Sequence, residues 1–192
     1  MKNILRSLFV ISLLLTAAWA QSQSPRQFID QMQPVIDTTA GSLAIGGASQ
    51  EKLAQTVTVG LNATLHGLYL PIGCDTGRLI VEIRNVESNG APGTVVFGHQ
   101  GFLAEDVPSI GPLFRYFRLG DDPGLTFTAG SRFAIVLRNP TGSCGIFRGP
   151  TGDSYSQGDG FFDARPNPPG WVPFSMTEAR LDLPFMTVMR LP

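Results

Sequence analysis

Lysine stands at only two positions, Lys2 and Lys52, and histidine at only two, His66 and His99. The remaining positive charge is scattered arginine, and no stretch is dense enough to neutralise a run of phosphates, so nucleic acid is not an expected partner. Scarce histidine also restricts catalysis. Gly152-Asp153-Ser154 resembles the nucleophile block of one esterase class, but that chemistry needs a histidine base from near the C-terminus, and none follows His99. A G-x-S-x-G elbow is absent as well. The two histidines lack the i, i+4 spacing of a helical metal pair. His66 falls in phase with Leu68, Leu70 and Ile72 and reads as a core or edge histidine. Acids that a glycosidase could pair are available, among them Glu82, Glu87, Glu105, Asp153, Asp159 and Asp163, but their spacing pairs none of them. The expectation is a non-enzyme, with no catalytic residue and no metal site assigned.

Long apolar runs are equally scarce. The strongest, residues 7–17, falls short of the ~20 residues that span a bilayer. Lys2 and Arg6 precede it, and Ala18-Trp19-Ala20 has the small-x-small form of a signal-peptidase site. Residues 1–20 are therefore expected to be a signal peptide. The product would be secreted or periplasmic, with no membrane anchor after cleavage. Residues 21–34 are expected to form a flexible leader. Within it, residues 25–32 read faintly as helix behind a Ser24 cap with Pro25 in the first turn. Residues 35–192 are expected to form one domain. Cleavage would leave 172 of the 192 residues and take the formal charge from −1 to −3, by loss of Lys2 and Arg6. A chain of that size buries about 70% of its unfolded surface. There are two cysteines, Cys74 and Cys144. Both lie beside turns, and in an oxidising compartment they are expected to form a disulfide that contributes about 4 kcal/mol by closing a long loop.

What the chain has in quantity is 22 glycines and 15 prolines, spread between short apolar runs. The runs alternate with period two. Leu79, Val81 and Ile83 lie opposite Glu82 and Arg84. Phe133, Ile135 and Leu137 lie opposite Arg132 and Arg138, and Val57 and Val59 opposite Thr56 and Thr58. Leu181, Leu183, Phe185, Met189 and Leu191 share another face. Further strands are expected over 66–72, 101–104, 114–119, 125–128, 145–148 and 160–163. Turn signals separate them at 88–93, 120–124 and 139–142. The pattern is that of an all-β protein, an antiparallel jelly-roll-like β-sandwich.

The order of segments resembles a known class. AQTVTVGLNATLHGLYLPI (54–72) and GRLIVEIRNVESNGAPGTVV (77–96) are similar to the opening strands of secreted bacterial β-sandwich modules of the choice-of-anchor type. LTFTAGSRFAIVLRNP (125–140) resembles their A-G turn and core strand, and GDGFFDARPNPPGWVPF (158–174) their closing aromatic segment. The resemblance implies an architecture similar to carbohydrate-binding jelly rolls. It brings no catalytic residues with it.

One stretch concentrates candidate ligand groups: DSYSQGDGFFDARPNPPGWVPF, residues 153–174. An aromatic ring can cover the apolar face of a sugar while carboxylates and amides hold its hydroxyls. Tyr155, Asp153, Asp159, Asp163 and Trp171 are the candidate ligand-binding residues, with Gln157 beside them. The three aspartates, with backbone carbonyls, also suit a structural Ca²⁺. Phe161 and Phe162, being adjacent, should point to opposite faces of a strand. Trp171, behind Pro168-Pro169-Gly170, is read either as a ring platform or as a closure of the sandwich edge. The expected partner is a glycan or cell-surface component. The alternatives are a structural or adhesion subunit assembling through edge strands, and a divergent hydrolase.

Overall fold

The computed structural model describes residues 26–109, 111–120, 122–163, 170–177 and 180–191. The segment expected to be a signal peptide and the Pro168-Pro169 pair lie outside these. Among these described residues fourteen strands follow in chain order: β1 (Gln27–Gln33), β2 (Ser42–Gly46), β3 (Lys52–Thr58), β4 (Ala63–Leu70), β5 (Ile72–Cys74), β6 (Arg78–Val86), β7 (Pro92–Leu103), β8 (Arg115–Arg118), β9 (Thr126–Phe127), β10 (Arg132–Arg138), β11 (Ser143–Phe147), β12 (Gly160–Asp163), β13 (Val172–Pro173) and β14 (Phe185–Arg190). Among the described residues there is no α-helix, only three short 3-10 turns.

The strands form three antiparallel sheets. One runs β1-β14-β4-β8, with β9 also on β4. The second runs β13-β12-β3-β10-β6-β7, and the third β2-β11-β5. The alternation read in the sequence decides which side chains meet. Leu53 and Val57 of β3, Leu79, Val81 and Ile83 of β6, and Phe133, Ile135 and Leu137 of β10 share one core. The same core takes Leu65, Leu68 and Leu70 of β4, Phe117 of β8, and Phe185 and Met189 of β14. Phe127 stacks on Phe133 with ring centres 4.8 Å apart. The small sheet carries the Cys74–Cys144 disulfide, whose two residues are direct partners across β5 and β11.

Several expectations are corrected. The 21–34 leader is strand from Gln27 to Gln33, hydrogen-bonded to β14 along the sheet edge. The faint helix signal over 25–32 rested on a cap and a proline. It lost to the edge of β14, which needs a partner, and to Phe28, which packs on the core. His66 is buried, as expected of a core or edge histidine, and Leu119 N donates to its carbonyl at 2.9 Å. A register shift against β14 sets Leu65 opposite Met189 and Gly67 opposite Val188, with His66 as the extra residue. Leu191, past the end of β14, is exposed. β2 and the length of β7 were not legible: glycines and polar neighbours interrupt both apolar patterns.

Glu82 is on the outer face of β6, as alternation requires, yet it is buried. Arg84 and Arg138 from two adjacent strands both pair with its carboxylate. Burial pushes the carboxyl up, but hydrogen bonds and charge from Arg138 and Arg84 outweigh it and hold the group below the usual carboxylate range.

Ile135→Asp, which places an unpaired carboxylate in the core, should abolish cooperative unfolding. Glu82→Gln should cost about 1–2 kcal/mol in urea melts, because two half-exposed arginines lose their anion. A lowered folded pKa means that this contribution exists above the unfolded value and is lost as pH falls through the folded one. The stability gap between wild type and Glu82→Gln should therefore be full above about pH 5 and close on acidification. A pH-independent gap would contradict the ion-pair account.

Candidate binding site

Residues 153–159 lead from the small sheet region into β12, and β3 holds them from one side. Thr56 N donates to the Asp159 carbonyl at 2.9 Å, and Asp159 N donates back to Thr56 Oγ1 at 2.9 Å. Thr58 Oγ1 donates to the Gln157 carbonyl at 2.7 Å. The approach is so close that a Cβ on Gly158 would stand 1.9 Å from the Thr56 carbonyl oxygen, which only glycine permits.

A buried carboxylate holds the segment from beneath. Asp182 Oδ2 accepts from the backbone N–H groups of Ser154 and Tyr155, each at 3.0 Å. Its Oδ1 accepts from Gln55 Nε2 at 3.0 Å, and Gln55 Oε1 in turn accepts from Leu183 N at 2.8 Å. Burial pushes the Asp182 carboxyl above its ordinary value, against the hydrogen bonds from Gln55, Tyr155 and Ser154 that favour the anion. Asp182 was not legible as a special residue, because an acid between Leu181 and Leu183 reads as the polar face of a strand.

The clamp decides where the candidate residues go. Tyr155 is turned inward and is only 6% exposed. Its ring meets Phe185 edge-on at 5.0 Å, its hydroxyl donates to Gln31 Oε1 at 3.0 Å, and burial pushes its pKa up to about 12. It is a core residue, and the expected exposed sugar platform at this position is corrected. Asp163 is buried as well, paired with Lys52 at 2.9 Å. Asp153 and Asp159 are exposed, and Arg180 approaches Asp153 at 3.6 Å. Phe161 and Phe162 point to opposite faces, as their adjacency requires. Phe161 belongs to a small outer cluster with Ala54, Ala134 and Val136, whereas Phe162 stacks on Phe174 at 5.3 Å and packs on the main core. Trp171 is half-buried against the outer cluster. It lies between the two readings of the sequence, covering the sheet while keeping part of the indole in solvent.

Asp153 and Asp159 line an open hollow of about 320 Å³ together with Thr58, Arg132, Ser156 and Gln157. Register connects this hollow to Trp171. Thr58 is opposite Arg132, Thr56 opposite Ala134, and Ala54 opposite both Val136 and Phe161, so the hollow and the Trp171 cluster share one sheet face. Two carboxylates, a guanidinium, an amide and hydroxyls at one rim can hydrogen-bond a hydroxyl-rich ligand from several sides. Arg132 was visible in the sequence as an outward residue of β10, but only the folded loop brings it to the aspartates. Among the described residues, no three Asp, Glu, His or Cys groups converge as metal ligands.

Asp182→Asn should cost about 1–3 kcal/mol, since an amide in place of Oδ1 faces the Gln55 donor and leaves a buried N–H without an acceptor. The raised pKa of Asp182 means that its contribution is full below the unfolded pKa and falls as pH rises through the folded value. Hydrogen exchange at the Ser154 and Tyr155 amides should accelerate in the variant, and unchanged exchange would show that the clamp does not order the loop. Trp171→Ala should cost about 1–2 kcal/mol, less than a fully buried aromatic truncation. In the intact protein, iodide should quench Trp171 in part.

No family model matches this chain, and no curated protein matches it. Among solved structures, the chain is similar in fold to part of the structure of the cysteine protease and lectin-like domains of Cwp84, a surface layer associated protein of Clostridium difficile. The TM-score is 0.52 at 10% sequence identity, and the match covers 88% of this chain and 37% of that one. The chain thus spans little more than a third of the length of that neighbour, and the likeness is one of β-rich fold.

Proposed function

We propose that the protein is an exported, non-catalytic β-sandwich module that recognises a carbohydrate or cell-surface component. The observation that carries this reading is the hollow of about 320 Å³ between residues 153–159 and the outer face of β3 and β10. Its exposed Asp153 and Asp159 stand on a loop clamped by Asp182 and Thr56, and exposed Arg132 on strand β10, so little ordering entropy is lost when a ligand binds. Trp171, on the same face, offers an indole for stacking against a sugar ring. Three further points support the reading: the lectin-like domain in the structure of Cwp84, the Cys74–Cys144 disulfide, which suits an oxidising compartment, and the resemblance to choice-of-anchor modules. A structural Ca²⁺ at Asp153, Asp159 and backbone carbonyls is part of this proposal; Asp163, the third aspartate expected there, is instead buried and paired with Lys52.

A second reading, assembly through sheet edges, draws on β7. This strand ends the six-stranded sheet and exposes Val95 and Val96. Solution mass at several concentrations separates the two: a monomer fits the binding module, and concentration-dependent growth fits the subunit.

A glycan array probed with and without calcium or chelator tests the first reading. Asp159→Asn and Arg132→Ala should each weaken the best ligand about tenfold or more while leaving the melting point nearly unchanged, and bound oligosaccharide should shield Trp171 from iodide. Full affinity in both variants would remove the hollow as the site.

A further inference from the structure

A second recess opens on the six-stranded sheet, where β6 meets β7 at the end of the sheet. It measures about 390 Å³ and is lined by Arg78, Ile80, His99, Gln100 and Gly101. None of these residues lines the hollow at residues 153–159. Register assembles it. Ile80 is opposite Gly101 and Glu82 opposite His99 across β6 and β7, and Arg138 is opposite Ile80 across β6 and β10. Arg78, His99 and Gln100 are exposed, and Ile80 is half-buried.

Gly101 seats the cation of the recess. A Cβ at that position would come within 2.9 Å of Nε, Cζ and Nη2 of Arg78, so the guanidinium lies against the bare backbone of β7 where a side chain would displace it. The main chain of Arg78 is held as well, since its N–H donates to Asn139 Oδ1 at 3.2 Å. Charge around β6 is unbalanced. Register sets three guanidinium groups, those of Arg78, Arg84 and Arg138, on the same face as one carboxylate, that of Glu82. Arg84 and Arg138 share that carboxylate between them. Among the described residues, no carboxylate pairs with Arg78 and none lines the recess.

We infer that this recess is a second binding site, for a sugar that carries a carboxylate, a uronic acid residue. Arg78 meets the carboxylate with a planar fork of donors. His99 and Gln100 hydrogen-bond ring hydroxyls, and Ile80 receives apolar C–H groups of the ring. A bare oxyanion would satisfy Arg78 alone and leave Ile80 and Gln100 uncovered. The choice of an anion rests on Arg78, because the other two arginines already have their partner. The inference stands independently of the hollow at residues 153–159.

Amide NMR titration of the folded, isotope-labelled chain with digalacturonate tests it, with cellobiose as the neutral sugar and inorganic phosphate as the bare oxyanion. The amides of His99, Gln100 and Gly101 should shift saturably with digalacturonate, and the affinity should fall as salt rises. Cellobiose and phosphate should each bind about tenfold more weakly, or less. Arg78→Gln should weaken digalacturonate about tenfold or more, and His99→Ala about threefold or more. Arg78→Lys keeps the charge without the fork and should recover part of the loss. Because these side chains are exposed, the variants should melt close to wild type. Asp159→Asn should change nothing. The inference is overturned if the three amides do not move, if cellobiose binds as tightly, or if Arg78→Gln or His99→Ala binds like wild type. Phosphate binding as tightly as digalacturonate would overturn the sugar as occupant. Loss of binding in Asp159→Asn would assign the probe to the hollow and overturn the recess as its site.

Discussion

The fold is organised by a strand whose middle has no wet side. β10 sits between β3 and β6, with Phe133, Ile135 and Leu137 in the main core and Ala134 and Val136 fully buried on the other face. In a two-sheet sandwich that second face would ordinarily meet water. Here it is covered by what surrounds it. Trp171 and Phe161 pack at the cluster that includes Ala134 and Val136, and the Glu82 carboxylate is enclosed by Arg84 and Arg138. Apolar β10 residues and a buried ion cluster thus share one exterior, where Phe161 of β12 and Trp171 cover Ala134 and Val136.

The hollow forms where residues 153–159 lie against β3 and β10. Residues 153–159 must cross from the small sheet to β12, and their backbone N–H groups need acceptors once they lie against β3. Asp182 supplies two and Thr56 Oγ1 a third. Burying a carboxylate is unfavourable, and its raised pKa shows that three donors offset only part of that cost while fixing the loop. The same clamp turns Tyr155 inward. A segment rich in aromatic and acidic residues is thereby divided: its tyrosine stabilises the core, and two of its aspartates face solvent beside Arg132.

The two outer faces of the sandwich differ as surfaces. Around the hollow, carboxylates, hydroxyls and one guanidinium offer mainly hydrogen bonds. Across the five-stranded sheet, Tyr116 of β8 is opposite Tyr69 of β4, and the register continues the row through Met186 of β14 to Met32 of β1. The difference follows from coverage: Phe161 and Trp171 pack on the outer face of the six-stranded sheet, whereas Gly67 lets Tyr116 lie across the other.

Alternation over 79–83, 133–137 and 181–189 made the all-β class, most of the core and the antiparallel sandwich legible from sequence, because period-two burial is a local property of each strand. The opposite orientations of Phe161 and Phe162 were legible for the same local reason, and the disulfide because the chain has two cysteines. Strand β1, the extra residue at His66, the burial of Glu82 and the inward turn of Tyr155 were not. Each depends on a group far away in the chain: β14 for the first two, Arg138 for Glu82, Asp182 for Tyr155. The hollow and the tyrosine row also exist only where strands distant in sequence pair. Residue types and their spacing determined which faces are apolar. Long-range pairing decided which polar and aromatic groups share a surface, because a side chain's exposure is set by what packs over it.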